Sequence, residues 1–335
     1  MSGPRLLSPS QNRGVNAGPP EEAMRYDRDG FPIPPAFDLP DPATAEAGLP
    51  SPDTPPPRRR GRPSWRKRLV VLALLAGLVI PGLLGPQLMP TIRAAVVNWS
   101  LDRAYACQAA DDVGGAITHL SRAVDWHGDH PDLLCMRALL RLENRDPQAA
   151  LEDLRQAAAI APLATQPLRI RAVAHVVLGE ADAAIAAADR AAELAGDESA
   201  AALNHRAYIR GLVSRDLETA LADIERAVAG ESDPPPAYVD THGFLLHLVG
   251  RHQEAIDRLN LAISAMQDQR RDFARRFGRS RSTAAAVRLR EIDQSLAVMH
   301  HHRSLACRAV GLAGQAEQDE AVAREKGFDP SRGIL

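Results

Sequence analysis

Residues Thr241 to Ile263 read THGFLLHLVGRHQEAIDRLNLAI. Two apolar stretches flank a break at Gly250-Arg251, and small residues stand at Gly243, Ala255 and Ala262. A glycine between helical segments takes the left-handed backbone that a tight interhelical turn needs without Cβ strain. Small side chains on both segments let two helix backbones approach closely, and Leu259, four after Ala255, supplies bulk beside that crossing. The stretch therefore predicts a helical hairpin.

The same pattern recurs along the chain. Alanine pairs seven residues apart stand at Ala116/Ala123, Ala150/Ala157, Ala184/Ala191, Ala220/Ala227, Ala255/Ala262 and Ala316/Ala323, at offsets of 34, 34, 36, 35 and 61. A residue four after the first alanine is bulky at Leu120, Leu154, Ile224 and Leu259, and small at Ala188. A second small column lies about twelve positions upstream, at Ala104, Ala138, Ala172, Ala207 and Gly243, and turn glycines stand at Gly179, Gly250 and Gly311. One hairpin cannot bury its apolar face alone, so consecutive hairpins must stack into an α-solenoid. The fold class expected is all-α.

At these residues the chain resembles the tetratricopeptide repeat (TPR) family, whose small-residue column, Ala-x3-large pair and closing proline match at Ala138, Ala150, Leu154, Ala157 and Pro162. The resemblance covers about residues 97 to 263 and again 295 to 328, and most of the family's aromatic marks are absent. It implies a right-handed solenoid of about six hairpins over 97–335, with the first helix of each lining a concave face. On that geometry one inward column is Tyr105, Leu139, Val173, Tyr208 and Phe244, and a more polar one is Leu101, Cys135, Arg169, Asn204 and Asp240. Tyr105, Arg169, Asn204, Tyr208, Asp240 and Phe244 are the expected binding residues for a peptide or protein partner, with aromatic anchors contributing most of the affinity. The alternative is that the rings pack between neighbouring helices. Of the Lys/Asn/Arg set with which some relatives grip a terminal carboxylate, only Arg169 and Asn204 remain.

The 61-residue offset holds about 27 residues more than one repeat needs, within Ser264 to Ser295, where eight arginines face four acids. This basic insertion predicts a lengthened helix, a turn at Gly278 to Ser282 and a second helix entering the last hairpin. Its charge is read as that of a solvated extension, the alternative being an anion-binding or docking patch.

Ahead of the repeats the composition changes. Fourteen of the 26 prolines lie before residue 58, in a stretch of net charge −4 without helical or strand period, which predicts a disordered tail over 1–57. Arg58 to Arg68 carry seven basic groups and no acid. Leu69 to Ile92 are 24 consecutive uncharged residues, long enough for one transmembrane helix across the lipid bilayer. The basic flank places the N-terminus in the cytoplasm and the repeats outside it, and similarity to membrane-anchored bacterial repeat proteins implies the bacterial inner membrane.

Chemistry is sparsely signalled. Low aromatic content and the absence of a Gly-rich phosphate loop argue against nucleic-acid and dinucleotide binding. The Asp125–Asp132 loop (DWHGDHPD) holds potential metal ligands on a segment with nothing to orient them, and His300-His301-His302 fan apart on a helix. Ser64-x-x-Lys67 lies in the basic flank, and Cys107, Cys135 and Cys307 lack paired spacing. The reading is a membrane-anchored interaction scaffold, with no catalytic residue, cofactor or metal assigned. The alternatives are a regulatory subunit linking the tail to an outer sensor and, more remotely, a metal-dependent envelope enzyme.

Overall fold

The structure is a computed structural model and describes residues 88–128, 130–196, 199–278 and 282–328. The expected disordered tail (1–57), basic segment (58–68) and most of the apolar run (69–92) lie outside the described residues. Residues 88–92 open the first described helix, and no helix among the described residues is long and apolar enough to cross a membrane.

Every regular element among the described residues is helical: α1 (88–109), α2 (Val113–His127), α3 (Pro131–Glu143), α4 (Pro147–Ile160), α5 (Gln166–Val177), α6 (Ala181–Ala195), α7 (Ala200–Leu212), α8 (Leu217–Ala229), α9 (Pro236–Leu248), α10 (His252–Phe277), α11 (Thr283–Ala309) and α12 (Ala313–Glu325). They pair in chain order into six hairpins. Each turn is closed by a backbone bond spanning five residues, such as Asp146 N to Arg141 O (2.8 Å) and Arg251 N to Leu246 O (2.8 Å). This closure needs a left-handed residue one position earlier. Gly179, Gly250 and Gly311 supply it at φ 73°, 85° and 80°, whereas the other three turns impose it on Asp111, Arg145 and Ser214.

Both alanines of all six pairs are buried, as are Ala104, Ala138, Ala172 and Ala207. Gly243 shows why the column must stay small: a Cβ there would lie 2.7 Å from Leu259 Cγ and 3.2 Å from the Ala255 carbonyl oxygen. Ser304, fully buried, holds this position in the sixth hairpin.

Successive first helices pack on one another, α3 on α5, α5 on α7, α7 on α9 and α9 on α11, whereas no successive second helices among the described residues make comparable contact. The first helices therefore form the tighter, inner layer.

A buried ion clamp ties helix to helix inside three hairpins. The arginine one residue before the small column meets the aspartate three residues after the paired alanine. Arg137 pairs with Asp153 (2.9 and 2.6 Å), Arg206 with Asp223 (2.6 and 2.7 Å) and Arg303 with Asp319 (2.8 and 2.6 Å). Arg141 adds a second cation 2.7 Å from Asp153, and His300 Nδ1 lies 2.7 Å from Asp319. Bidentate geometry of this kind joins charge neutralisation to directional hydrogen bonding.

The basic insertion departs from a free solvated extension. α10 runs to Phe277 and α11 begins at Thr283, with Ser282 capping Ala285 N. Arg270 then grips Asp293 (2.8 and 2.9 Å), and Lys326 Nζ lies 2.5 Å from the same carboxylate. Arg290 reaches the first two hairpins, donating to the Gln108 carbonyl (2.6 Å), to Glu143 (3.2 Å) and to Asp111. The arginine excess is thus partly spent on carboxylates and carbonyls far away in sequence. Periodicity cannot register such partners.

Candidate functional site

The six expected binding residues fall into three environments along the first helices. Tyr105, on α1, is partly buried beside α11. Burial, then Glu291 of α11 and Asp102, push its phenol above the ordinary tyrosine range. With Arg290 on the neighbouring Gln108 carbonyl, α11 covers this end of the expected column.

Arg169 and Asn204 hold the middle. Arg169 lines a recess of about 80 Å³ between α5, α6 and α7, together with Thr165, Ser199 and His205. His205 is driven to about 3 by burial and, secondarily, by the nearby Arg169 guanidinium, so its ring stays neutral. Its Nε2, like Asn204 Oδ1, is buried without a hydrogen-bond partner among the described residues. Leu139, 37% exposed, and half-buried Val173, one turn from Arg169 on α5, belong to the other, apolar inward column. This stretch couples open apolar surface to a guanidinium, an amide and an imidazole.

Tyr208, Asp240 and Phe244 converge, but around a residue the sequence reading places elsewhere. His302 stacks on Phe244, with ring centres 4.2 Å apart and planes 16° off parallel, and its Nδ1 lies 3.0 and 3.1 Å from the Asp240 carboxylate oxygens. Tyr208 meets Phe244 edge-on at 6.2 Å, and burial, then Asp240, raise its phenol. Phe244 is only 8% exposed and His302 3%. Here the rings pack between neighbouring first helices, the alternative weighed above, instead of lining an open groove.

The remaining candidates for chemistry are separated by the fold. His300 bonds Asp319, His301 stacks on Phe328 at 4.4 Å and His302 bonds Asp240, so the three consecutive rings serve three different partners. Around the α2–α3 loop, His127 and His130 meet edge-on at 4.7 Å, and His130 lies 3.8 Å from Asp132. Asp129 lies outside the described residues, and no group of three or more potential metal ligands gathers among those described. Burial first, then Asp132 and Asp153, push the Cys135 thiol to about 12, which holds it protonated.

No family model matches the chain, and no curated protein does. Solved structures similar to it include TPR proteins. TTC0263, a thermophilic TPR protein of Thermus thermophilus, is 18% identical, with 58% of this chain and 98% of that one covered and a TM-score of 0.44. A tetratricopeptide repeat protein from Parabacteroides merdae is 16% identical over 71% and 95% of the two chains, with a TM-score of 0.42. YrrB, described as a TPR protein with an unusual peptide-binding site, is 14% identical over 64% and 94%, with a TM-score of 0.33. The hairpin architecture described above rests on this chain's own turns, alanine columns and clamps.

Proposed function

We propose that this chain is a membrane-tethered interaction scaffold that captures an extended or helical segment of a partner protein on its inner face. The observation carrying the proposal is the continuous layer of first helices from α3 to α11, which repeats one set of inward side chains per hairpin. Its accessible stretch is Leu139, Val173, Arg169 and Asn204, where apolar contact and polar specificity stand side by side. Tyr105 lies under α11 and the Tyr208–Phe244 pair is packed, so the contact surface centres on hairpins two to four.

The uncharged run at 69–92 and the seven basic residues before it support a single span with the repeats on the extracytoplasmic side. Tethering raises the partner's effective concentration at the bilayer. Protease added outside cells with a permeabilised outer layer should digest the repeats and spare the tail. The reverse protection pattern overturns this orientation.

Capture is tested by comparing the detergent-solubilised chain with its Arg169→Ala/Asn204→Ala variant in pull-downs from membrane extract. The variant is expected to lose about tenfold or more in retained partner at an unchanged melting temperature. Equal capture by both proteins would remove the inner face from the proposal.

A further inference from the structure

The fifth hairpin lacks the clamp that ties the second, fourth and sixth. At the positions of Arg137 and Asp153 it carries His242, one before Gly243, and Arg258, three after Ala255. An acceptor has been replaced by a cation. At this point a cavity of about 330 Å³ opens between the second helices α8 and α10, floored by α9 and lined by Glu225, His242, Leu246, Arg251, Glu254 and Arg258. His242 is 7% exposed, and neither ring nitrogen has a hydrogen-bond partner among the described residues. Glu225 Oε1 lies 4.0 Å from its Nε2, beyond hydrogen-bond reach. Glu254 is committed elsewhere, with both oxygens on Arg251 at 2.8 and 2.6 Å. Burial, then Arg258, hold the His242 ring below the ordinary histidine range; Arg251 acts the same way, and Glu225 and Glu254 oppose it.

We propose that this recess is a carboxylate-binding site, in which an incoming carboxylate takes the part of acceptor that Asp153, Asp223 and Asp319 play in the other clamps. Arg258 supplies the charged donor and His242 a ring N–H, the roles that Arg303 and His300 play around Asp319. Charge-assisted hydrogen bonds are stronger than neutral ones, and although Arg258 is exposed, the buried His242 ring offers its N–H at a floor shielded from water. The volume is at the small end for ligand sites, about 300 Å³ upward, which suits a short dicarboxylic acid or a single acidic side chain. The site lies in the outer layer and does not depend on the inner-face reading.

The test is a thermal-shift and calorimetric titration of the full chain in detergent at pH 7, with succinate and with an acetylated, amidated Ala-Glu-Ala peptide. Sodium chloride at matched ionic strength is the control. A ligand that binds only the native state raises Tm with concentration. Either probe should do so, and Arg258→Met should weaken binding about tenfold or more, as expected for a lost charged hydrogen bond. A response to the peptide alone assigns the site to a partner's acidic side chain, and a response to succinate assigns it to a free acid. Arg258→Asp supplies the missing carboxylate from within and should abolish the response while keeping or raising Tm, so misfolding of the Met variant leaves the question decidable. No Tm change with either probe, or an equal change in wild type and in Arg258→Asp, overturns the proposal.

Discussion

Asp153→Ala is expected to destabilise the chain by about 3–5 kcal/mol, the range for removing one partner of a buried ion pair. Asp153 is 1% exposed and accepts from Arg137 at 2.9 and 2.6 Å, while Arg141 stands 2.7 Å away. Removing the carboxylate leaves two guanidinium groups, one turn apart on α3, without the anion they share, although Arg137 keeps Ser121 Oγ (3.2 Å) and Arg141 keeps the Ala149 carbonyl (2.9 Å) as neutral acceptors. The loss arises from uncompensated charge and not from lost packing. Asp153→Ala combined with Arg137→Met should therefore recover part of it. Guanidinium unfolding followed by circular dichroism reads both variants. A loss below about 1 kcal/mol for the single variant would mean that water reaches the clamp and screens it, as at exposed pairs.

The hairpins are legible in the sequence because helix crossing is a local steric demand. Ala104, Ala116 and their counterparts are small for one reason at every copy, so the reason surfaces as a period. Legibility fails where a neighbouring repeat decides the outcome. Ser304 meets the same demand with a hydroxyl, and reading alanine and glycine alone passes over it. With it the register of α11 is missed, along with His302 as the residue that covers Phe244. The clamps did leave a signal: an arginine before the small column and an aspartate three after the paired alanine, in three copies. It becomes meaningful only once two helices are known to face each other there. Arg290 leaves no local signal at all, since its acceptors Gln108 and Glu143 lie 182 and 147 residues away.

Phe244→Ala is expected to cost about 3–5 kcal/mol, the range for truncating a buried aromatic ring. An open-groove reading expects the opposite: a stable protein that no longer captures its partner. The geometry decides between them through what touches the ring. One face carries the His302 imidazole at 4.2 Å, and the Tyr208 ring meets it edge-on. Below it lies Gly211, where even a Cβ would come within 3.2 Å of the Phe244 ring and 2.9 Å of Leu245 Cδ2. Glycine has no side chain with which to close the space that truncation opens, so the cavity between α7, α9 and α11 persists. His302 would keep its Asp240 bond but lose its stacking partner, loosening the entry of α11 into the last hairpin. Partner capture should then fall only as the fold is lost, whereas Arg169→Ala/Asn204→Ala should reduce capture at constant Tm. Melting and pull-down measured side by side separate the two positions. An unchanged Tm for Phe244→Ala together with lost capture would show that α11 swings off the ring in solution and that the inner face extends through the fifth hairpin.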